Sequence, residues 1–185
     1  KRMIYILVAL ESEFSHTEPD HRFTKVYTGV GKVNAAIAAT EICLRYDCDS
    51  VINFGTAGTL KPELAGQLLK IGSIRQRDMD ARPQAPLGIT PFEYSVVKGD
   101  IILDSGIHSL STGDNFVQSS PELFSECVDM EAYALAKACH RFKKPFSCYK
   151  YITDLADENA AKTWEATHRT GSNAFYNKLY GELLG

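Results

Sequence analysis

The sequence predicts an α/β fold in which a central, mostly parallel sheet is flanked by helices in three layers. Three observations carry that expectation. Short continuous apolar runs rich in β-branched residues recur along the chain, as in strands covered on both faces. Each run closes in a glycine-bearing or acidic polar segment. Stretches of helical periodicity stand between the runs, which is the alternation of βαβ units.

In chain order, Ile4 to Leu10 is the first strand, ending at Glu11-Ser12-Glu13. Val26-Tyr27-Thr28 is a weaker second strand. Gly29-Val30-Gly31 turns it into a helix over Lys32 to Tyr46, with an apolar stripe expected at Val33, Ile37, Thr40 and Leu44. Ser50 to Phe54 is a further buried strand, and Gly55-Thr56-Ala57-Gly58 is expected as the loop that closes it. From Pro62 to Ser111 the periodicity weakens. Two short apolar runs, Leu68 to Ile74 and Ile101 to Leu103, flank a Pro- and Gly-bearing loop, Arg82 to Pro91. Asp129 to Arg141 resumes helical spacing through Met130, Tyr133, Ala134, Ala138 and Cys139, and Pro145 ends it before a strand over Phe146 to Ile152. A single long helix, about Asn159 to Leu184, is expected to carry Trp164, Phe175, Leu179 and Leu183. Residues 1–185 are expected to form one domain, with no repeat or linker.

Composition narrows the function. With 44% hydrophobic and 23% charged residues and a net charge of -3, the chain offers no basic footprint for nucleic acid. No apolar run is long enough to cross a bilayer, and Lys1 to Leu10 is too short for a signal-peptide core. A cytoplasmic protein without nucleic-acid or membrane partners is therefore expected. The five cysteines are odd in number and form no Cys-x-x-Cys pair, so they are expected as reduced core thiols. The five histidines show no metal-ligand spacing, and neither a metal nor a cofactor is expected.

In an open α/β sheet ligands bind outside the carboxyl ends of the strands, so the polar strand ends should converge on one crevice. The glycine turn Gly29-Val30-Gly31-Lys32 is not a phosphate-cradling Walker loop, because Val26 and Val33 stand where that loop needs Gly and Ser or Thr. It fails the dinucleotide pattern too, with Asn34 at the third glycine position. Gly55-Thr56-Ala57-Gly58 requires a close backbone approach to a ligand or to packed neighbours. No serine sits in a nucleophile elbow.

Three carboxylates remain. Singly, Glu13 reads equally as a solvated acid, Glu131 as a first-turn dipole partner and Asp154 as a helix cap. Together at one edge of the sheet they suit glycosidic bond cleavage, in which one acid protonates the leaving group and another activates water.

Six motifs, in one order, carry a family resemblance. They are Ala9-Leu10-Glu11-Ser12-Glu13, Gly29 to Ala36, Asn53 to Gly58, Ser111 to Phe116, Val128-Asp129-Met130-Glu131-Ala132 and Ile152-Thr153-Asp154-Leu155-Ala156-Asp157. Over nearly its full length the chain resembles the 5'-methylthioadenosine/S-adenosylhomocysteine nucleosidases of the nucleoside phosphorylase superfamily. The resemblance implies a mixed, mostly parallel sheet of the nucleoside phosphorylase/hydrolase kind, a homodimer, and cofactor-free hydrolysis of the N-glycosidic bond of a purine nucleoside such as 5'-methylthioadenosine or S-adenosylhomocysteine.

Roles follow by position in that resemblance. Asp154 matches the acid that protonates N7 of the base, and Glu13 the residue that activates water. Glu131 matches the carboxylate that holds the ribose hydroxyls. Met130 packs under the sugar, Phe116 stacks on the base, Val117 offers backbone hydrogen bonds, and Trp164 covers the 5' substituent. Leu10, Val30, Thr56, Ala57, Gly58, Asp129 and Thr153 complete the implied substrate-binding set.

The chain departs from the family pattern at several places. It is much shorter between Phe14 and Val26, as though a hairpin were missing. Lys150 stands where many members carry Arg, Thr153 replaces Ser, and Asp129 replaces Glu. The Arg77 to Asp80 and Pro86 to Glu93 segments also differ, and Pro91 and Phe92 are candidates to reach a neighbouring subunit's 5' pocket. Two other readings stand beside hydrolysis. A phosphorylase would need cations near Glu11-Ser12-Glu13, which would repel phosphate. A non-catalytic nucleoside-binding member would have no need of Glu13.

Overall fold

The computed structural model describes residues 2–95 and 97–183. Strands are β1 Met3–Val8, β2 Phe23–Tyr27, β3 Cys48–Thr59, β4 Leu68–Gln76, β5 Ile101–Ile102, β6 His108–Thr112, β7 Cys127–Asp129 and β8 Phe146–Asp154. Helices are α1 Lys32–Cys43, α2 Ala132–Arg141, α3 Ala160–Thr167 and α4 Ser172–Lys178. The strand order is β2-β1-β3-β7-β6-β4-β5, and β8 pairs with β3 and β4. The β1/β2, β1/β3, β3/β8, β4/β6 and β6/β7 pairs are parallel, whereas β3/β7, β4/β5 and β4/β8 are antiparallel. The sheet is thus mixed and mostly parallel, as expected.

Strand alternation makes the layers. On β1, Tyr5 and Leu7 face a cluster with Ala35 and Ala39 of α1 and Leu135 and Cys139 of α2. The intervening Ile6 and Val8 face the other side, with Phe14, Phe54, Phe175 and Leu179. Phe54 and Phe175 stack with centroids 4.2 Å apart, which seats α4 on that second face.

Several expected boundaries are corrected. The segment Gly55 to Gly58 is not a loop, since β3 runs through it in parallel register with β8. Its glycines are there for space: a Cβ on Gly58 would meet Asp154 Oδ1 at 2.5 Å, and one on Gly55 would meet Lys150 Nζ at 3.0 Å. Asp129 does not open α2 but ends β7, and Glu131 is the N-cap residue. The expected final helix is broken into α3 and α4 and continues as a π-helical turn, Leu179–Leu183. The break is where Gly171 lies against Tyr151, whose Cγ is 2.3 Å from where a Cβ would be. Leu184 and the side chain of Leu183 lie outside the described residues.

α1 also buries a different stripe from the one expected. Ala35, Ala39, Ile42 and Cys43 face the core, while Val33, Ile37 and Leu44 are exposed. The helix is apolar on more than one side. The small residues allow close packing on α2, where Cys43 Sγ and Cys139 Sγ lie 3.8 Å apart. All five cysteines are free and buried.

Candidate active site

After β1 a 3₁₀ turn, Glu11–Glu13, carries Glu13 inward until only 4% of it is exposed. Its carboxylate is held by three donors. Leu10 N–H reaches Oε1 at 3.1 Å, and the N–H and hydroxyl of Thr56 reach Oε2 at 2.9 and 2.7 Å. Glu13 is therefore a fixed, buried acceptor rather than a solvated acid.

Glu131 sits where β7 passes into α2, and its Oε2 accepts the Gly31 N–H at 2.9 Å. Gly31, at φ +94°, and Gly29, at φ +82°, provide the left-handed turn that brings this N–H across. Burial, and then the Asp129 charge, push the Glu131 carboxyl up to about 7, against the opposing pull of Lys150 and the Gly31 N–H. The next amide, Lys32 N–H, goes to Asp114 Oδ1 at 2.8 Å, so two carboxylates occupy the α1 N-terminus.

Beneath Glu131, Lys150 Nζ pairs with Asp129 Oδ2 at 3.0 Å, with side-chain exposures of 1% and 0%. Two of the departures from the family pattern, Lys150 and Asp129, are therefore each other's partner. Asp129 also accepts the Thr112 hydroxyl at 2.5 Å and the Glu131 and Ala132 N–H groups at 3.2 and 2.8 Å. Its oxygens point into this network, although the residue forms part of the cavity wall.

Asp154 ends β8. Its Oδ1 accepts Ala156 N–H at 3.0 Å, and Oδ2 accepts the Thr153 hydroxyl at 3.1 Å. Burial raises its carboxyl above the ordinary aspartate range, more than these two donors lower it.

Leu10, Glu13, Val30, Thr56, Ala57, Gly58, Phe116, Val117, Asp129, Met130, Glu131, Asp154 and Trp164 line one cavity of about 290 Å³. Thr153, expected as a substrate contact, is not among the residues that line it. Its hydroxyl is turned back to Asp154 and to the Ala57 carbonyl, 3.4 Å away. The Phe116 and Trp164 rings meet edge to face with centroids 5.9 Å apart.

Ala9, Arg77, Asn115 and Val128 complete the wall without having been anticipated. The end of β4 was the available signal for Arg77, because it follows a buried strand as Glu13 and Asp154 do. Its guanidinium donates to the carbonyls of Ser111, Asp129 and Asn115 at 2.6, 2.8 and 2.8 Å, which braces the segment that presents Phe116.

The Glu131 shift has a consequence for stability. An acid raised in the folded state favours folding fully below its unfolded pKa, and that contribution is lost as the pH rises through the folded value. Between pH 5 and pH 8 wild-type protein is expected to lose stability, by on the order of a few kcal/mol from this group, relative to Glu131→Gln. Urea midpoints of both proteins across that range check it. Parallel pH profiles would contradict the assignment.

Comparison with known proteins gives the family and the fold. Residues 15–178 match the family model of the phosphorylase superfamily. A Tolumonas auensis 5'-methylthioadenosine/S-adenosylhomocysteine nucleosidase is 32% identical over 164 residues, covering 75% of this chain and 70% of the relative. A Staphylococcus aureus protein of the same description is 29% identical over 170 residues, covering 80% and 75%. In fold, the chain is similar to a variant Helicobacter pylori nucleosidase with 5'-methylthioadenosine in its active site, at TM-score 0.84 and 21% identity, covering 96% and 97% of the two chains. A Colwellia psychrerythraea nucleosidase in complex with adenine gives TM-score 0.80 at 21% identity, covering 93% and 90%. This chain belongs to the phosphorylase superfamily and, within it, to the 5'-methylthioadenosine/S-adenosylhomocysteine nucleosidase family.

Proposed function

We propose that the protein hydrolyses the N-glycosidic bond of an adenine nucleoside of the 5'-methylthioadenosine and S-adenosylhomocysteine class, releasing free base and a 5-substituted ribose. The observation that carries this is the placement of three buried carboxylates, Glu13, Glu131 and Asp154, in the wall of one small apolar cavity. Its volume suits a small molecule rather than a polymer.

Each acid has a distinct job. Asp154, whose environment favours the protonated form, donates to N7, so the C1'–N9 electron pair leaves on a neutral base. Glu131 accepts the ribose hydroxyls. Glu13 takes a proton from the attacking water as its oxygen bonds to C1'. Oε2 already has two donors and Oε1 one, so Oε1 is the oxygen with spare acceptor capacity. The carboxylates also stabilise positive charge that develops on the sugar. Phe116 and Trp164 supply apolar faces for the base and for the 5' side.

Phosphorolysis is disfavoured by charge. The α1 N-terminus is taken by Glu131 and Asp114, Lys150 is committed to Asp129, and Arg77 to backbone carbonyls. Incubation with 5'-methylthioadenosine, adenosine and inosine, with and without phosphate, tests the reading. Base release independent of phosphate is expected, and ribose 1-phosphate as product would overturn hydrolysis.

The working unit we infer is a homodimer. Val33 is 71% exposed, and Ile37 and Leu44 share its helix face, with Phe92 and Tyr94 exposed at 78% and 101% on the loop before β5. So much uncovered apolar surface fits a second copy of this chain. Sedimentation at the monomer mass would contradict this.

A further inference from the structure

Glu13 and Asp154 come from opposite ends of the chain, and one short helix touches the segments that carry both. At its last turn, the Thr167 hydroxyl lies 3.0 Å from the Thr153 carbonyl, next to Asp154. On its other side, Trp164 Nε1–H donates to Thr56 Oγ1 at 2.8 Å, and the same hydroxyl donates to Glu13 Oε2 at 2.7 Å. His168, just past α3, stacks on the indole with centroids 4.2 Å apart. Its Nδ1 faces the Trp164 and Glu165 carbonyls at 3.0 and 3.1 Å, which can only accept, so Nδ1 carries a proton. Nε2 lies 3.0 Å from the hydroxyl of Ser12, the residue before Glu13.

An indole N–H donates and never accepts, whereas a threonine hydroxyl does both. With its oxygen occupied by the indole, the Thr56 hydrogen is directed at Glu13 Oε2. We propose that Trp164 is a positioning residue for Glu13, acting through the Thr56 hydroxyl, in addition to walling the cavity. The inference rests on the hydrolytic reading above. The relay fills Oε2 and leaves Oε1 to receive the water proton. Without the indole N–H, the Thr56 hydroxyl is free to turn toward substrate or water, and Glu13 Oε2 is then held by the Thr56 N–H alone.

The test is a double-mutant cycle on turnover, with fluorescence as a second readout. Trp164→Phe keeps an aromatic wall but removes the donor together with part of the ring, so kcat is expected to fall about 5-fold through the lost hydrogen bond, while any change in KM reports the smaller wall. In a Thr56→Val background the same substitution is expected to cost less than about 2-fold, because its route to Glu13 is already gone. Thr56→Ser should restore the full Trp164→Phe effect. The chain has one tryptophan, so its emission comes from this side chain alone. Thr56→Val is expected to shift that emission, and Thr56→Ser to leave it in place. Equal kcat losses from Trp164→Phe in the two backgrounds, or unchanged emission in Thr56→Val, would overturn the positioning role while hydrolysis stands. A wild-type protein without turnover would overturn the hydrolytic reading and this role with it.

Discussion

Asp154→Asn is expected to lower turnover on the order of 10²-fold or more, the range for removing a general acid. The substitution isolates the proton. An asparagine can keep its oxygen on the Ala156 N–H and turn its amide toward the Thr153 hydroxyl, so both contacts of the native side chain have counterparts. Gly58 opposes this side chain at the distance of a missing Cβ, and the variant needs no more room than the original. What disappears is the ability to give a proton to N7, which leaves an anionic base as the leaving group. Nucleoside affinity should change far less than turnover, since the binding contacts proposed above are to Phe116, Met130 and Glu131, which this substitution leaves in the cavity wall. Separate measurement of kcat and of nucleoside binding checks this, and full turnover in the variant would remove Asp154 from the mechanism.

The second large effect is on stability. Lys150→Met should destabilise the fold by about 3–5 kcal/mol, because it strands Asp129 as a buried unpaired charge. Neutralising both partners, as in Lys150→Met with Asp129→Asn, should recover much of that loss. The asparagine can still offer an oxygen to the Glu131 and Ala132 N–H groups. Activity should fall in the single variant as well, since Lys150 opposes the upward shift of Glu131. Urea denaturation of the two single variants and the double gives the coupling directly. Additive losses would show that the pair does not act as a unit.

Much of the arrangement was legible in the residues. The apolar runs that became β1, β3, β4 and β8 announced themselves by length and β-branching, and three acids at strand ends pointed to one crevice. The elements that escaped have physical reasons. β7 is three residues long, too short for any period, so Asp129 merged with the helix that follows. Glycines read as a loop at Gly55 and Gly58, but in β3 they clear space for Lys150 and Asp154, and that requirement lies in distant side chains. The α1 face was misassigned because bulky and small apolar residues alternate around the helix, and close packing on α2 selected the alanines.

The site shows the same division. Glu13, Glu131 and Asp154 were recognisable from type and place, whereas their holders were not. Thr153 looked like a cavity residue by position, yet its hydroxyl serves Asp154. The Trp164 to Thr56 to Glu13 relay joins positions 164, 56 and 13, and no local pattern encodes it. The segment from residue 14 to residue 22, short against the family pattern, contains no strand and leads directly to β2, parallel to β1.

The central claim is that water, activated at Glu13, attacks the sugar carbon while Asp154 releases the base. A reaction with 5'-methylthioadenosine in ¹⁸O-labelled water, with phosphate present, tests it most directly. The account predicts free adenine and a ribose product bearing one solvent-derived oxygen at C1, with labelling abolished in Glu13→Gln. An unlabelled sugar 1-phosphate, or undiminished labelling in that variant, would contradict it.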